Sequence, residues 1–198
     1  MELIRVKSPA TTANLGPGFD CLGMAVDIWN VLEVVMTNND EPQDPLIEIS
    51  GHGAGELATD ASNLVYQAMK FLFLETGKAL PLVRLHCENN IPLSRGLGSS
   101  AAAISSGLVA ANFLAGNVFE PNELLEMAAT IEGHPDNVAA AILGNIQLVI
   151  SEGQQLYPVS IQPPPDLQLV IFIPELRIAT EDARRVLPSS ISISDSVY

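Results

Sequence analysis

The sequence predicts an α+β domain built on a mixed sheet, and three observations predict it. Stretches with two-residue alternation are interleaved with stretches of helical spacing. Their order departs from the strict strand-helix-strand rhythm of a doubly wound sheet. A chain of 198 residues that is 47% apolar can bury the core of one domain, or of a domain plus part of a second.

ELIRVKS (2–8) alternates as a strand does, and MAVDIWNVLEVVMT (24–37), rich in Val and Ile, is long enough for one bent strand or two. NNDEPQDP (38–45) is a turn, LIEIS (46–50) a short strand and GHGAGE (51–56) a loop. Ser62 is placed to cap the helix NLVYQAMKFLFLETG, where Leu64, Ala68, Phe71, Leu72 and Glu75 keep helical spacing and Gly77 stops it. LVRLHCE (82–88) alternates again. SSAAAISSGLVAANFLAG (99–116) carries small or apolar residues on every side, as a helix buried on several faces requires. Pro121 and Glu123 open the helix NELLEMAATIE, which Gly133 closes. HPDN (134–137) is a turn in which Asp136 is placed to cap NVAAAIL. NIQLVIS and LQLVIFI read as strands separated by the loop QPPPD (162–166). Ser194 and Asp195, in SISISDSVY, look like the opening of a further helix, so the sequence is expected to continue beyond residue 198.

Charge excludes two classes of partner. Nine Lys plus Arg against 23 Asp plus Glu give a net charge of −14, a field that repels nucleic acid and anionic lipid. No apolar run approaches the roughly 18 residues of a spanning helix, and MELIRVKSPA lacks the pattern of a signal peptide, so a cytoplasmic location is expected. Cys21 and Cys87, without a CxxC or a Cys/His cluster, read as reduced thiols.

The segment IPLSRGLGSSAAA (91–103) invites an anion. A Gly-rich turn that enters a helix presents unpaired backbone N–H groups and the positive end of the helix dipole. Gly96 and Gly98 let a ligand approach the main chain closely. A P-loop is excluded, because no Lys follows Gly98. GLGSSA satisfies the dinucleotide pattern GxGxx[GA], but Asn89 to Arg95 intervene between strand and turn, and Glu120 stands where Pro121 starts a helix, so it is a poor ribose acid. A helix start with small residues for tight packing is the purely structural alternative.

The run PLSRGLGSSAAA resembles the second motif of the GHMP kinases, P-x-x-x-G-L-G-S-S-A-A. SPATTANLGPGFDCLGMAVD (8–27) is similar to the first motif as the homoserine kinase branch carries it, and EGHPDNVAAAILGN (132–145) to the segment with metal and substrate contacts. TEDARRVLPSSISISD (180–195) resembles the stretch after the domain junction. The resemblance implies a ribosomal protein S5 domain 2-like N-terminal domain with a mixed sheet over 1–160, then the start of a ferredoxin-like domain over 161–198. It implies ATP-dependent phosphorylation of the hydroxyl of L-homoserine, a step of threonine biosynthesis, with Mg²⁺ and pairing as a homodimer.

Residue roles follow by position. Pro92, Leu93, Ser94, Arg95, Gly96, Leu97, Gly98, Ser99, Ser100, Ala101 and Ala102 would clamp the nucleotide phosphates, with Asn63 near adenine. Ser100 and Glu132 would hold Mg²⁺, which takes few protein ligands and completes its shell with phosphate and water. By itself Glu132 is a solvated carboxylate at the unfavourable end of a helix dipole, and Glu126, six residues away, lies on another face. Asn14, Asp20, His134 and Arg184 would bind the substrate, Arg184 as a bidentate fork for its carboxylate. Read without the resemblance, Asn14 and Asp20 are Asx-turn caps of the LGPGF loop. Asn137 would lie near the reacting hydroxyl and Asp136 could take its proton. Thr11 stands about where mevalonate-type and galactose-type relatives carry a basic residue, which favours a mechanism of positioning over strong base catalysis. A kinase for another small alcohol and a nucleotide-binding module without catalysis stay open as alternatives.

Overall fold

The computed structural model describes residues 3–37, 46–153, 155–175, 185–188 and 190–196. Its spine is β2 (Leu22–Met36), a single strand of 15 residues. β1 (Leu3–Ala13) runs antiparallel along nearly all of one edge of β2. The opposite edge is shared. β4 (Val83–Asn89) pairs with the end of β2 from Val31 to Met36, and β5 (Ile146–Glu152) with its start from Leu22 to Met24, both antiparallel. β3 (Leu46–Gly51) lies parallel to β4, and β6 (Gln155–Ile161) antiparallel to β5, so the sheet is mixed.

The bend anticipated in β2 is a register shift opposite Pro9 and Ala10. Proline lacks the N–H that a sheet interior needs, and it is tolerated at an edge or a bulge. Residues 25–30 of β2 have neither β4 nor β5 beside them. There the Asn30 side chain substitutes for a strand: its Oδ1 accepts the N–H groups of Asn90 and Ile91, at 2.8 and 2.9 Å, where the chain leaves β4.

Helices α1 (Leu64–Glu75), α2 (Ser99–Ala115), α3 (Pro121–Glu132) and α4 (Asp136–Leu143) form the second layer. Alternate residues of the strands, Leu32 and Val34 on β2 and Val83, Leu85 and Cys87 on β4, meet Met69, Leu72, Ile104, Leu108, Leu125 and Val138 from the helices. Arg5 Nε lies 3.5 Å from Glu33 Oε1 and His86 Nδ1 3.7 Å from Glu33 Oε2, on the partly exposed face of the sheet. α2 lies between its neighbours and buries even Ser105, Ser106 and Asn112, as its uniformly small and apolar composition requires. Gly107 makes this close packing with α1 possible, because a Cβ there would stand 2.5 Å from the Val65 carbonyl oxygen and 3.0 Å from the Ala68 Cβ.

Several expected boundaries move for local reasons. Asn63, not Ser62, caps α1: its Oδ1 accepts the Val65 N–H at 3.0 Å, while Ser62 bonds to Asp60. Asp136 is the first residue of α4 rather than its cap, which is Pro135. α3 has a capping box in which Glu120 and Glu123 each satisfy the other's backbone. QLYPVSI, with Pro158 inside it, is strand β6, which tolerates proline because it lies at the sheet edge. LQLVIFI (167–173) forms no strand; it finds no sheet edge among the described residues, and Val170 and Phe172 are 96% and 87% exposed. α5 (Ile193–Ser196) is a single turn, with Ser192 Oγ accepting the Asp195 N–H. The turn 38–45 lies outside the described residues. Cys21 and Cys87 are free thiols, and burial pushes that of Cys87 up to about 11.

The tight α1–α2 crossing gives a first test. Gly107→Val should destabilise the fold by about 1–3 kcal/mol through overpacking, read as a lower denaturation midpoint with an unchanged slope. An unaffected midpoint would mean that the helices can separate freely.

Candidate functional site

A cavity of about 830 Å³ opens where β4 leaves the sheet, walled by the 93–100 segment, the start of α1, and the turn between α3 and α4. Its floor carries apolar groups from the strands, Val31, Leu32, Ile49 and Cys87. Asn14, His134 and Asn137 stand at its wall with Ser100 and Glu132.

The loop before α2 owes its shape to one contact. Gly98 is the N-cap of α2 in the left-handed conformation, with φ of 65°. A Cβ there would lie 1.9 Å from Thr11 Oγ1. Thr11 in turn donates its N–H to the Leu97 carbonyl at 3.0 Å. Only glycine fits this junction of strand and turn. Beneath it Ala10, Val26, Ile91, Leu97 and Ala102 form a small apolar cluster that anchors the loop.

The α2 N-terminus has no side-chain cap and no acidic residue in its first turn. Its first intrahelical bond runs from the Ala102 N–H to the Gly98 carbonyl. The N–H groups of Ser99, Ser100 and Ala101 therefore have no helical partner, and Ser99 and Ser100 lie on the cavity wall. Together with the helix dipole, worth roughly half a positive charge, they are suited to an anion, in a molecule whose net charge is −14.

Ser100 Oγ donates to Glu132 Oε1 at 2.6 Å, joining the first turn of α2 to the last of α3. Burial raises the Glu132 carboxyl above its ordinary value of 4.5; the Ser100 hydrogen bond and the charge on His134 oppose that, and Asp136 adds to it. His134 Nδ1 lies 2.7 Å from Asp136 Oδ1. A carboxylate oxygen only accepts, so Nδ1 carries the proton and Nε2 is left as the ring's remaining polar atom. The same Oδ1 accepts the Asn137 N–H at 2.8 Å. Thr11 Oγ1 donates to Asn137 Oδ1 at 2.9 Å.

The expected site residues are thus largely brought together. Leu93, Ser94, Arg95, Gly96, Leu97, Gly98, Ser99, Ser100, Asn63, Glu132, Asn14, His134 and Asn137 all line the cavity. Pro92, Ala101 and Ala102 do not, the two alanines being buried in the core. Asp136 is fully buried and off the cavity wall, so it fixes His134 and Asn137 and does not face a ligand as the expected base would. Asp20 is also off the wall, in a loop where Asn14 Oδ1 accepts its N–H at 2.9 Å; both residues adopt left-handed backbone conformations. Asn63 bonds the Val65 N–H and the Ala58 carbonyl with its amide, so its side chain builds the pocket edge. Arg184 lies outside the described residues. Sequence reasoning missed the apolar floor and Asn30, a polar residue in mid-strand whose position was the available signal. Among the described residues there is no cluster of three or more His, Cys, Asp or Glu, and no helix long and apolar enough to cross a membrane.

The raised Glu132 carboxyl yields a sign. Folding disfavours its charged form, so its contribution to stability is complete below the ordinary glutamate range and is lost as pH rises through its raised folded value. Glu132→Gln, free of that loss, should match the parent in acid and become progressively the more stable of the two towards neutral pH in urea melts. Parallel pH profiles would contradict the assigned burial cost.

Residues 63–145 match the model of the GHMP kinases N terminal domain. The chain is 43% identical over 196 residues to a homoserine kinase of Desulfitobacterium hafniense and 45% identical over 199 to one of Synechocystis. These alignments cover 99% and 100% of the chain, which spans 64% of the length of either relative. The crystal structure of homoserine kinase from Cytophaga hutchinsonii superposes with a TM-score of 0.82 at 30% identity, over the whole chain and 64% of that protein. Mevalonate kinase of Methanococcus jannaschii, 14% identical with a TM-score of 0.64 over 82% of the chain and 56% of that protein, shares the fold. With its glycine-rich turn, helix order and mixed sheet, the chain is similar in sequence and fold to the N-terminal domain of the GHMP kinases.

Proposed function

We propose that this chain builds the nucleotide site and much of the acceptor site of an ATP-dependent homoserine kinase, which transfers the γ-phosphoryl group to the hydroxyl of L-homoserine and gives O-phospho-L-homoserine. The observation that carries this reading is the Ser100–Glu132 pair at 2.6 Å beside the uncapped start of α2. The likeness over the whole chain to homoserine kinases of two organisms supports the choice of acceptor.

The backbone amides at the start of α2 hold phosphate oxygens, and the apolar floor at Val31, Ile49 and Cys87 receives the base. A hydroxyl and a carboxylate in contact, with the carboxylate held partly out of water, suit a magnesium ion that takes its other ligands from phosphate and solvent. Ser100 and Glu132 would hold that ion, which supplies charge neutralisation between the phosphates. Asn14 and His134 contact homoserine, and Arg184 grips its carboxylate. Asp20, off the cavity wall, acts through Asn14, whose Oδ1 accepts its N–H. The new bond joins the homoserine oxygen to the γ-phosphorus while the bond to ADP breaks. In a loose transition state the hydroxyl keeps its proton until late and then passes it to an oxygen of the transferred phosphoryl group, so alignment and electrostatics suffice without a strong base. Asp136 acts through His134 and Asn137.

Residues 161–198 open a second, ferredoxin-like domain in this reading, in which the exposed apolar run 167–173 would pair as a strand. The acidic surface suits a cytoplasmic enzyme with a small-molecule substrate, paired as a homodimer.

The test is ADP formation by the protein at the length of its relatives, with homoserine, with mevalonate, and with no acceptor. Homoserine-dependent turnover is expected, and Glu132→Ala or Ser100→Ala should lower kcat/KM by about 100- to 1,000-fold. Preference for mevalonate, or ATP binding without acceptor-dependent turnover, would overturn the reading.

A further inference from the structure

We propose that Thr11 is a positioning residue whose hydroxyl holds the Asn137 amide in one orientation. The inference rests on the reading above, in which Asn137 faces the transferring group. Thr11 is fully buried, at the bulged end of β1, and its hydroxyl donates to Asn137 Oδ1 across 126 residues of sequence.

An asparagine amide has an accepting end and a donating end of nearly equal size, so its neighbours decide which end meets a ligand. On one side of Asn137 lies Asp136 Oδ1, 3.5 Å from Nδ2, and a carboxylate can only accept. On the other side lies the Thr11 hydroxyl, at 2.9 Å from Oδ1. The carboxylate selects the end of the amide that turns towards it, and the Thr11 hydroxyl, which can donate or accept, answers as a donor and holds the amide there. With Oδ1 committed to Thr11, Asn137 presents N–H to the cavity, which suits phosphate oxygen or a hydroxyl lone pair and repels neither. Without the hydroxyl, the amide can turn its carbonyl towards the phosphates, where like charge opposes transfer.

The same residue also fixes the loop. The Thr11 N–H holds the Leu97 carbonyl, and its side chain lies directly against Gly98. Thr11 therefore couples the place where phosphate is bound to the amide that faces the reacting atoms. A lysine or arginine at this position would add charge but could not accept this geometry, since it carries no hydroxyl and exceeds the buried space.

The experiment compares Thr11→Ser, Thr11→Ala and Thr11→Val in the full-length protein, by steady-state kinetics and by the side-chain amide resonances of Asn137. Ala avoids any crowding of Gly98, and Val keeps the volume, so a folded variant without the hydroxyl is available from at least one of them. Expected is a kcat about 10- to 100-fold lower for Ala and Val, with KM for nucleotide within about threefold of the parent, and rescue by Ser. In an Asn137→Ala background, Thr11→Ala should cost nothing further. The Asn137 side-chain amide protons should exchange slowly with solvent in the parent and in Thr11→Ser, and should shift and exchange faster in Thr11→Ala. Loss of activity in Thr11→Ser equal to that in Thr11→Ala, additivity with Asn137→Ala, or unchanged amide resonances in Thr11→Ala would overturn the proposal. A parent protein inactive with homoserine would defeat the functional reading alone, because the amide resonances still decide the role of Thr11.

Discussion

The site depends on the contact of Gly98 with Thr11. A strand and a helix start meet there with no room for a single methyl group. That approach lets the chain turn left-handed and enter α2 without a capping side chain, which would otherwise consume the amides that make the turn useful. The small apolar cluster under the loop holds it in place. The unpaired amides here are thus a by-product of close packing, and any residue larger than glycine would disturb both.

Electrostatics explains why the architecture is built from backbone. With a net charge of −14 the molecule offers a polyphosphate little long-range attraction. Arg95 is the one Lys or Arg among the described residues on the cavity wall, and its guanidinium bonds the Glu175 carbonyl. Attraction must come at short range, from oriented amides and a helix dipole, which salt screens weakly at contact distances. Burial disfavours the charged form of Glu132, and a cation beside it would reverse that sign. Stability is thereby given up where binding requires it.

Much of this was legible in the sequence because local rules and packing agree. Gly77, Gly116, Gly133 and Gly144 ended helices where they stand, and Pro121 began one. The helical character of α2 followed from small residues alone. What escaped was set by long-range partners. LQLVIFI has the alternation of a strand yet no edge to join among the described residues, whereas QLYPVSI, broken by Pro158, pairs because β5 presents one. Asn63 displaced Ser62 as the cap of α1 because Asp60 had already engaged the serine. In the site, the sequence named the wall but not the wiring. Burial of Asp136 and its bond to His134 depend on how α4 packs on the sheet, which no local pattern encodes.

The central claim is that the first amides of α2 receive the phosphates. The most direct measurement is the ¹⁵N–¹H spectrum of the protein titrated with magnesium and a non-hydrolysable ATP analogue. The backbone resonances of Ser99, Ser100 and Ala101 are expected to move most, downfield, as their N–H groups gain charged acceptors. Saturable binding that leaves those three unmoved, while shifting residues away from the 93–100 loop, would contradict it.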